Sequence, residues 1–242
     1  MANPYAVFTE RCAELIVYQT EFDGVHHELG TSGFLYRSSK LMYDHGTKSF
    51  WSTLQGKPVV GPLVGKKIEL NRRYLVTTTW GEWKKRHPNT TVLSLETGHR
   101  RDYGEGVAYR DYFGTDDLMF TVPEIDKRLL NKDEVLAFRN KDQQLAIAIK
   151  FLAAKRIHHD KLGDRKIAVL ADEDGTSRAY YAGDMTFSSW NGSDQAVDST
   201  GTKWTVLEDG LVSSGKKLER VPSHNAFWFG WVSQFPDTRL VK

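Results

Sequence analysis

The sequence predicts a mainly β fold with a few short helices, built as one compact unit from two diverged copies of a single pattern. Three observations carry this. Aromatic residues make up 12% of the 242 residues, including 7 Trp and 10 Tyr, and such side chains favour half-buried pleated surfaces. Short apolar runs alternate with Gly-rich turns, as in Gly56 to Gly65. The end of the chain repeats its middle: Trp228, Trp231, Pro236 and Thr238 follow Trp80, Trp83, Pro88 and Thr90 at one constant spacing.

The elements follow in order. Residues 14–20 and 73–77 read as strands, as do 135–138 and 166–170. Asp44 with Thr47, and Asp198 with Thr202, suit Asx-type turns ahead of Trp51 and Trp204. Gly65-Lys-Lys-Ile-Glu69 recurs as Gly215-Lys-Lys-Leu-Glu219, and the segment around Tyr18 recurs around Tyr180. Thr79 followed by Glu82 is a capping box. It starts a short helix that places Trp80 and Trp83 on one face against a sheet and that Pro88 ends. Residues 145–155 read as a short strand running into a short helix, with Asn140 and Gln143 as its candidate cap. The expected layout is a single domain over 1–242: repeat one at about 4–94, a bridge at about 95–133 and repeat two at about 134–242. The bridge is rich in Gly, Tyr, Arg and Asp and has only Pro123, so it reads as an ordered excursion rather than a flexible linker.

Composition removes several function classes. The net charge of +2 comes from 33 basic and 31 acidic residues, too even to call for a polyanionic partner. The short basic clusters are interrupted by acids, so nucleic-acid binding is not expected. No apolar run is long enough for a membrane helix. The N-terminus has no visible signal peptide, which suits the cytoplasm and equally a processed exported chain. Gly-x-Gly-x-x-Gly, phosphate-loop and Gly-x-Ser-x-Gly patterns are missing.

The candidate polar site is Tyr43-Asp44 with the bridge motif Arg101-Asp102-Tyr103. A carboxylate, a phenol and a guanidinium held together can do acid–base or anion-binding work. Turn capping explains Asp44 equally well, because it recurs as Asp198, and Arg101-Asp102 also suits an ion pair that pins the bridge. For a metal the weak candidates are Cys12, the only cysteine, with His26 and Glu28, which share a strand face. His26 and His27 point to opposite faces of such a strand, and the chain lacks any His-x-x-x-His spacing.

Ser32-Gly33, Leu41 to Asp44, Trp51, Gly61-Pro62-Leu63, Gly65, Thr97-Gly98, Arg101 to Gly104 and Phe227 to Trp231 with Phe235-Pro236 occur in one order. That set closely resembles the bacterial and archaeal domain-of-unknown-function family 3179, over nearly the whole chain. The resemblance implies a β-rich fold and assigns no activity. Many relatives carry a Cys-Pro-Leu-Cys tetrapeptide suited to redox chemistry or a soft metal. Here the matching stretch is Thr9-Glu10-Arg11-Cys12, so a function needing both thiols is not expected.

Three functional readings stand at this point. The first is a module that binds a small molecule or a protein in a cleft between the copies, roofed by the bridge. The second is an enzyme using Tyr43, Asp44, Arg101 and Asp102. The third is a metal or redox protein derived from the paired-cysteine relatives. Neither cofactor nor oligomeric state is legible in the sequence.

Overall fold

Most strands pair with their neighbours in sequence, so the sheets are antiparallel meanders closed by tight turns. The computed structural model describes residues 5–9, 15–22, 24–104, 107 and 109–242, with side chains from residue 15 onward. In the N-terminal half, β1 (Tyr5–Thr9) and β2 (Leu15–Gln19) form a hairpin, followed by a ribbon of β3 (Glu21–Phe22) and β4 (Val25–His26). A four-stranded meander comes next: β5 (Leu29–Tyr36), β6 (Ser39–Asp44), β7 (Phe50–Ser52) and β8 (Lys57–Val60). Then β9 (Arg72–Arg73) returns to β2, and α1 (Trp80–Arg86) follows. Of the expected strand at 73–77 only Arg73 pairs, because Leu75 and its neighbours turn away to line a cleft described below.

The connecting segment has one short helix, α2 (Arg110–Phe113). It is held to the C-terminal end of the chain. Arg128 donates to the carbonyls of Thr238 and Pro236, and Leu118 and Val122 pack on Phe227 and Phe229.

The C-terminal half opens with β10 (Glu134–Asn140), β11 (Gln143–Ala148), α3 (Ile149–Lys155), β12 (Ile157–Leu162), β13 (Arg165–Ala171) and β14 (Ser177–Tyr181). The strand-into-helix reading of 145–155 therefore holds. Asn140 and Gln143, however, face each other across the β10–β11 turn, and Ala148 precedes α3 without a side-chain cap. A five-stranded meander follows, made of β15 (Phe187–Trp190), β16 (Gln195–Asp198), β17 (Lys203–Leu207), β18 (Gly210–Ser213) and β19 (Lys216–Glu219). β20 (Ser223–Phe227) pairs with β10, α4 (Trp228–Gln234) continues from it, and β21 (Arg239–Val241) runs parallel to β11.

Strand alternation lets β10 join two cores. Val135 and Ala137 face a core with Ile16, Tyr18, Trp51, Trp228 and Trp231, while Leu136 and Phe138 face one with Ile147, Leu152 and Val169. Helix α4 thus packs on the meander of the N-terminal half.

Matched local geometry recurs between the halves. In the β1–β2 hairpin Ala6 faces Tyr18 and Val7 faces Val17; in β13–β14 Ala168 faces Tyr180 and Val169 faces Ala179. Tyr18 then pairs with Arg72, as Tyr180 does with Arg220. Trp83 Nε1 donates to Thr90 Oγ1 at 3.0 Å, and Trp231 Nε1 donates to Thr238 Oγ1 at 3.0 Å. Burial separates the two helices. Trp231 is fully buried, whereas Trp80 and Trp83 are 50% and 39% exposed and α1 buries no residue. The expectation that both Trp of α1 pack it onto a sheet is therefore not met.

Candidate functional site

Asp44 ends β6 and is buried. Its Oδ1 accepts from Gly46 N at 2.9 Å, and its Oδ2 accepts from Thr47 Oγ1 at 2.6 Å and pairs with His27 Nδ1 at 2.8 Å. Burial pushes this carboxyl up, but the hydrogen bonds from Thr47, His27 and Gly46 outweigh it and hold the group below its ordinary range. Asp198 has the same turn role: its Oδ1 accepts from the Thr200 and Thr202 backbones, and its Oδ2 from Trp204 Nε1 at 2.9 Å. His27, just past the end of β4, is buried, and no sequence pattern marks it apart from His26 and Glu28. It stacks on Phe22 at 3.9 Å, whereas His26 and Glu28 are exposed.

Tyr43 is half-buried against Phe50 and His45. Arg101, Asp102 and Tyr103 are exposed and bonded locally: Asp102 Oδ1 accepts from Gly104 N, and the Tyr103 hydroxyl meets Thr97 Oγ1 at 2.8 Å. Among the described residues, no hydrogen bond or ion pair joins Tyr43 or Asp44 to these three. Nor do three His, Cys, Asp or Glu side chains gather there as a metal cage. Cys12 lies outside the described residues.

A different place concentrates unmatched chemistry. The chain from Tyr74 to Arg86 crosses the C-terminal half and covers one side of an open cavity of about 180 Å³. Tyr74, Val76, Trp83 and Arg86 line one wall, and Arg178, Glu208 and Arg220 the other. No bridge residue lines it, so its roof is the segment leading into α1. Thr79 fixes the start of that helix by accepting from Glu82 N, and the helical turn sets Trp83 and Arg86 on one face. Across the cavity, alternation along β14 puts Arg178 and Tyr180 on one side of the strand.

These groups are buried but incompletely paired. Arg220 is 4% exposed; its Nη1 and Nη2 donate to the carbonyls of Glu208 and Leu75, and its Nε is enclosed without a partner. Its guanidinium lies between the rings of Tyr74 and Tyr180, whose hydroxyl is also enclosed and unpartnered. Arg178 is 5% exposed, and among the described residues its guanidinium makes no hydrogen bond or ion pair. Arg86 donates to the carbonyl of Ser193. Burial first, then the neighbouring charges of Arg86 and Arg220, holds Arg178 below the usual guanidinium range. Burial also pushes the Tyr180 phenol up, against the pull of the same arginines. Three guanidiniums thus line the cavity with one carboxylate, Glu208, which lies 3.5 Å from His87.

The hairpin of the N-terminal half is packed differently. Two residues before Tyr18 in β2 stands Ile16, paired with Phe8, as Arg178 stands two residues before Tyr180 in β14, paired with Leu170. Ile16, Tyr18 and Trp231 are buried together in one core. The Tyr18 hydroxyl donates to Thr53 O at 2.6 Å. Gly56 stands against that ring, where a Cβ would come within 2.7 Å. Gln234, which stands in α4 where α1 has Arg86, donates to Tyr36 O at 2.7 Å. One half is therefore closed with apolar and neutral groups, while the other is open and lined by guanidiniums. Sequence reasoning missed Arg178 because a single Arg in a strand carries no motif; the alignment of Tyr180 with Tyr18, extended by two residues, would have set it against Ile16.

A buried guanidinium without a counter-ion is costly, and its planar fork matches the oxygens of a carboxylate or phosphate. The arrangement is suited to holding an anion.

No curated protein and no solved structure matches the chain. The family model described as "Protein of unknown function (DUF3179)" matches residues 7–238, which include every residue that lines the cavity. The chain belongs to the DUF3179 family.

Proposed function

We propose that this protein is an anion-binding module assembled from two diverged copies of one unit, one kept as packed framework and the other opened as the binding half. The observation that carries the reading is Arg178, nearly buried and without a hydrogen bond or ion pair among the described residues, in a cavity that Arg86 and Arg220 also line. The matched pairing of Tyr18 with Arg72 and of Tyr180 with Arg220 supports the duplication. An oxyanion among these groups completes their hydrogen bonds and offsets the like charges, which gives a ligand-free protein a standing preference for one.

Isothermal titration with inorganic phosphate and with succinate, at 0.15 M salt, tests this. Saturable 1:1 binding of at least one of them to the native chain is expected, with loss of at least tenfold in affinity in Arg178→Ile. Absence of saturable binding of either anion to the native protein rejects the reading.

A further inference from the structure

The cavity lined by Arg178 has a second chemistry besides its charge. Its basic side is narrow. Arg220 is committed, with Nη1 and Nη2 on the carbonyls of Glu208 and Leu75, and Arg86 donates to the carbonyl of Ser193. Arg178 therefore provides the seat for a single anionic head, with the charges of Arg86 and Arg220 nearby. Most of the remaining lining is aromatic or aliphatic: Tyr74, Leu75, Val76 and Trp83. Trp83 and Tyr74 are 39% and 37% exposed. The indole of Trp83 is held in place: its ring centroid lies 4.1 Å from that of His87, and its Nε1 donates to Thr90 Oγ1 at 3.0 Å. Its one polar group is thus used, and what it offers the cavity is apolar ring surface. The Tyr74 ring lies 5.1 Å from the Arg220 guanidinium. Trp231, whose indole makes the same bond to Thr238, is buried outright. The protein covers its ring there and leaves that of Trp83 uncovered beside a buried guanidinium.

We infer that the occupant is an aryl anion, with one carboxylate or phosphate head on Arg178 and one flat ring against Trp83 and Tyr74. This rests on the anion-binding reading above and narrows it. A cavity of roughly 150 Å³ takes a benzene ring, so a space of about 180 Å³ has room for one. An inorganic oxyanion reaches only the basic side and leaves both exposed rings in water. An apolar body covers them, and such a pairing of apolar walls with a few polar anchors is the usual make-up of a small-molecule site. A ring gains more than an alkyl chain does, because aromatic faces and edges attract one another and a rigid body gives up less freedom on binding. The head is defined by its shared chemistry, since carboxylate and phosphate both accept the paired N–H groups of a guanidinium.

The test is titration of the full chain at 0.15 M salt with two series: phosphate, butyl phosphate and phenyl phosphate, and acetate, hexanoate and benzoate. In at least one series the aryl member should bind 1:1, at least tenfold more tightly than the smallest ion and at least threefold more tightly than the alkyl member. The series with the larger gain identifies the head. Trp83→Ala and, separately, Tyr74→Ala should each lower the ratio of aryl to smallest-ion affinity at least threefold, and Arg178→Ile should weaken the aryl anion at least tenfold. Either aromatic variant keeps the test valid if the other fails to fold. An aryl gain below these limits in both series, a ratio untouched in the folded aromatic variants, or an aryl affinity that Arg178→Ile leaves alone overturns the inference. The anion seat itself then stands on the binding of phosphate and succinate. No saturable binding of any anion fails the parent reading instead.

Discussion

Replacing Arg178 by isoleucine separates stability from binding, because under the proposed duplication Ile16 holds the matching place in its own hairpin. The perturbation removes one of three guanidiniums that share a cavity with a single carboxylate. Exchanging buried ionic groups for packed apolar ones stabilises proteins by roughly 1–4 kcal/mol. Isoleucine is shorter than arginine, and about 50 Å³ of added void costs roughly 1.2 kcal/mol at about 24 cal/mol per Å³. The net expectation is a change between about 0 and 3 kcal/mol in favour of the variant, a rise in Tm of up to roughly 11 °C for a chain of this size. Urea denaturation followed by tryptophan fluorescence, run with and without 10 mM phosphate, reads both effects: a higher midpoint without phosphate and no further rise on its addition. A loss of 1 kcal/mol or more in the absence of anion would refute the reasoning, since Arg178 would then be making compensated structural interactions. Such a stabilising change that abolishes binding is the mark of a site held at the expense of stability.

Three further outcomes follow from the geometry. Thr238→Val orphans the buried indole nitrogen of Trp231 and should cost about 1–3 kcal/mol; Thr90→Val should cost under about 1 kcal/mol because water reaches Trp83, and equal losses by chemical denaturation would count against this burial difference. His224 is buried, and burial with the charges of Arg72 and Arg139 lowers it to about 3, so it is neutral when folded and binds a proton more readily when unfolded. Its contribution is fully present above the unfolded value of about 6.5 and is lost as pH falls toward 3, by up to about 1.4 kcal/mol per pH unit; His159, also lowered by burial, adds in the upper part of that window, and His224→Phe should flatten the slope between pH 7 and pH 4.5, an unchanged slope contradicting the assignment. Arg101→Ala and Asp102→Ala should leave phosphate affinity within twofold of native, and a tenfold loss in either would return weight to the enzyme reading built on Tyr43 and Asp44.

Much of the framework was written in local patterns. Thr79 with Glu82, and Asp44 and Asp198 with their threonines, are satisfied within a few residues of the chain, so spacing alone reveals them. The alternation at 135–138 and 166–170 named β10 and β13, because a side-chain period of two is a property of the strand itself. The unpaired remainder of the expected strand at 73–77 was not legible, since its departure from β2 depends on what it covers in the other half.

The sequence by itself determined the mainly β class, the turn chemistry and the family, all of which depend on residues close together in the chain. Only the tertiary structure decided where charge goes unanswered. Arg86, Arg178 and Arg220 are far apart in sequence, and each alone reads as an ordinary solvated cation. The crossing of Tyr74 to Arg86 over the C-terminal half leaves Arg178 and Arg220 buried beside Arg86 with Glu208 as the one carboxylate of the lining, whereas α4 packs with Ile16 and Tyr18 in an apolar core. Desolvation is a property of the assembled surface, and for that reason the site could be read only after the chain was folded.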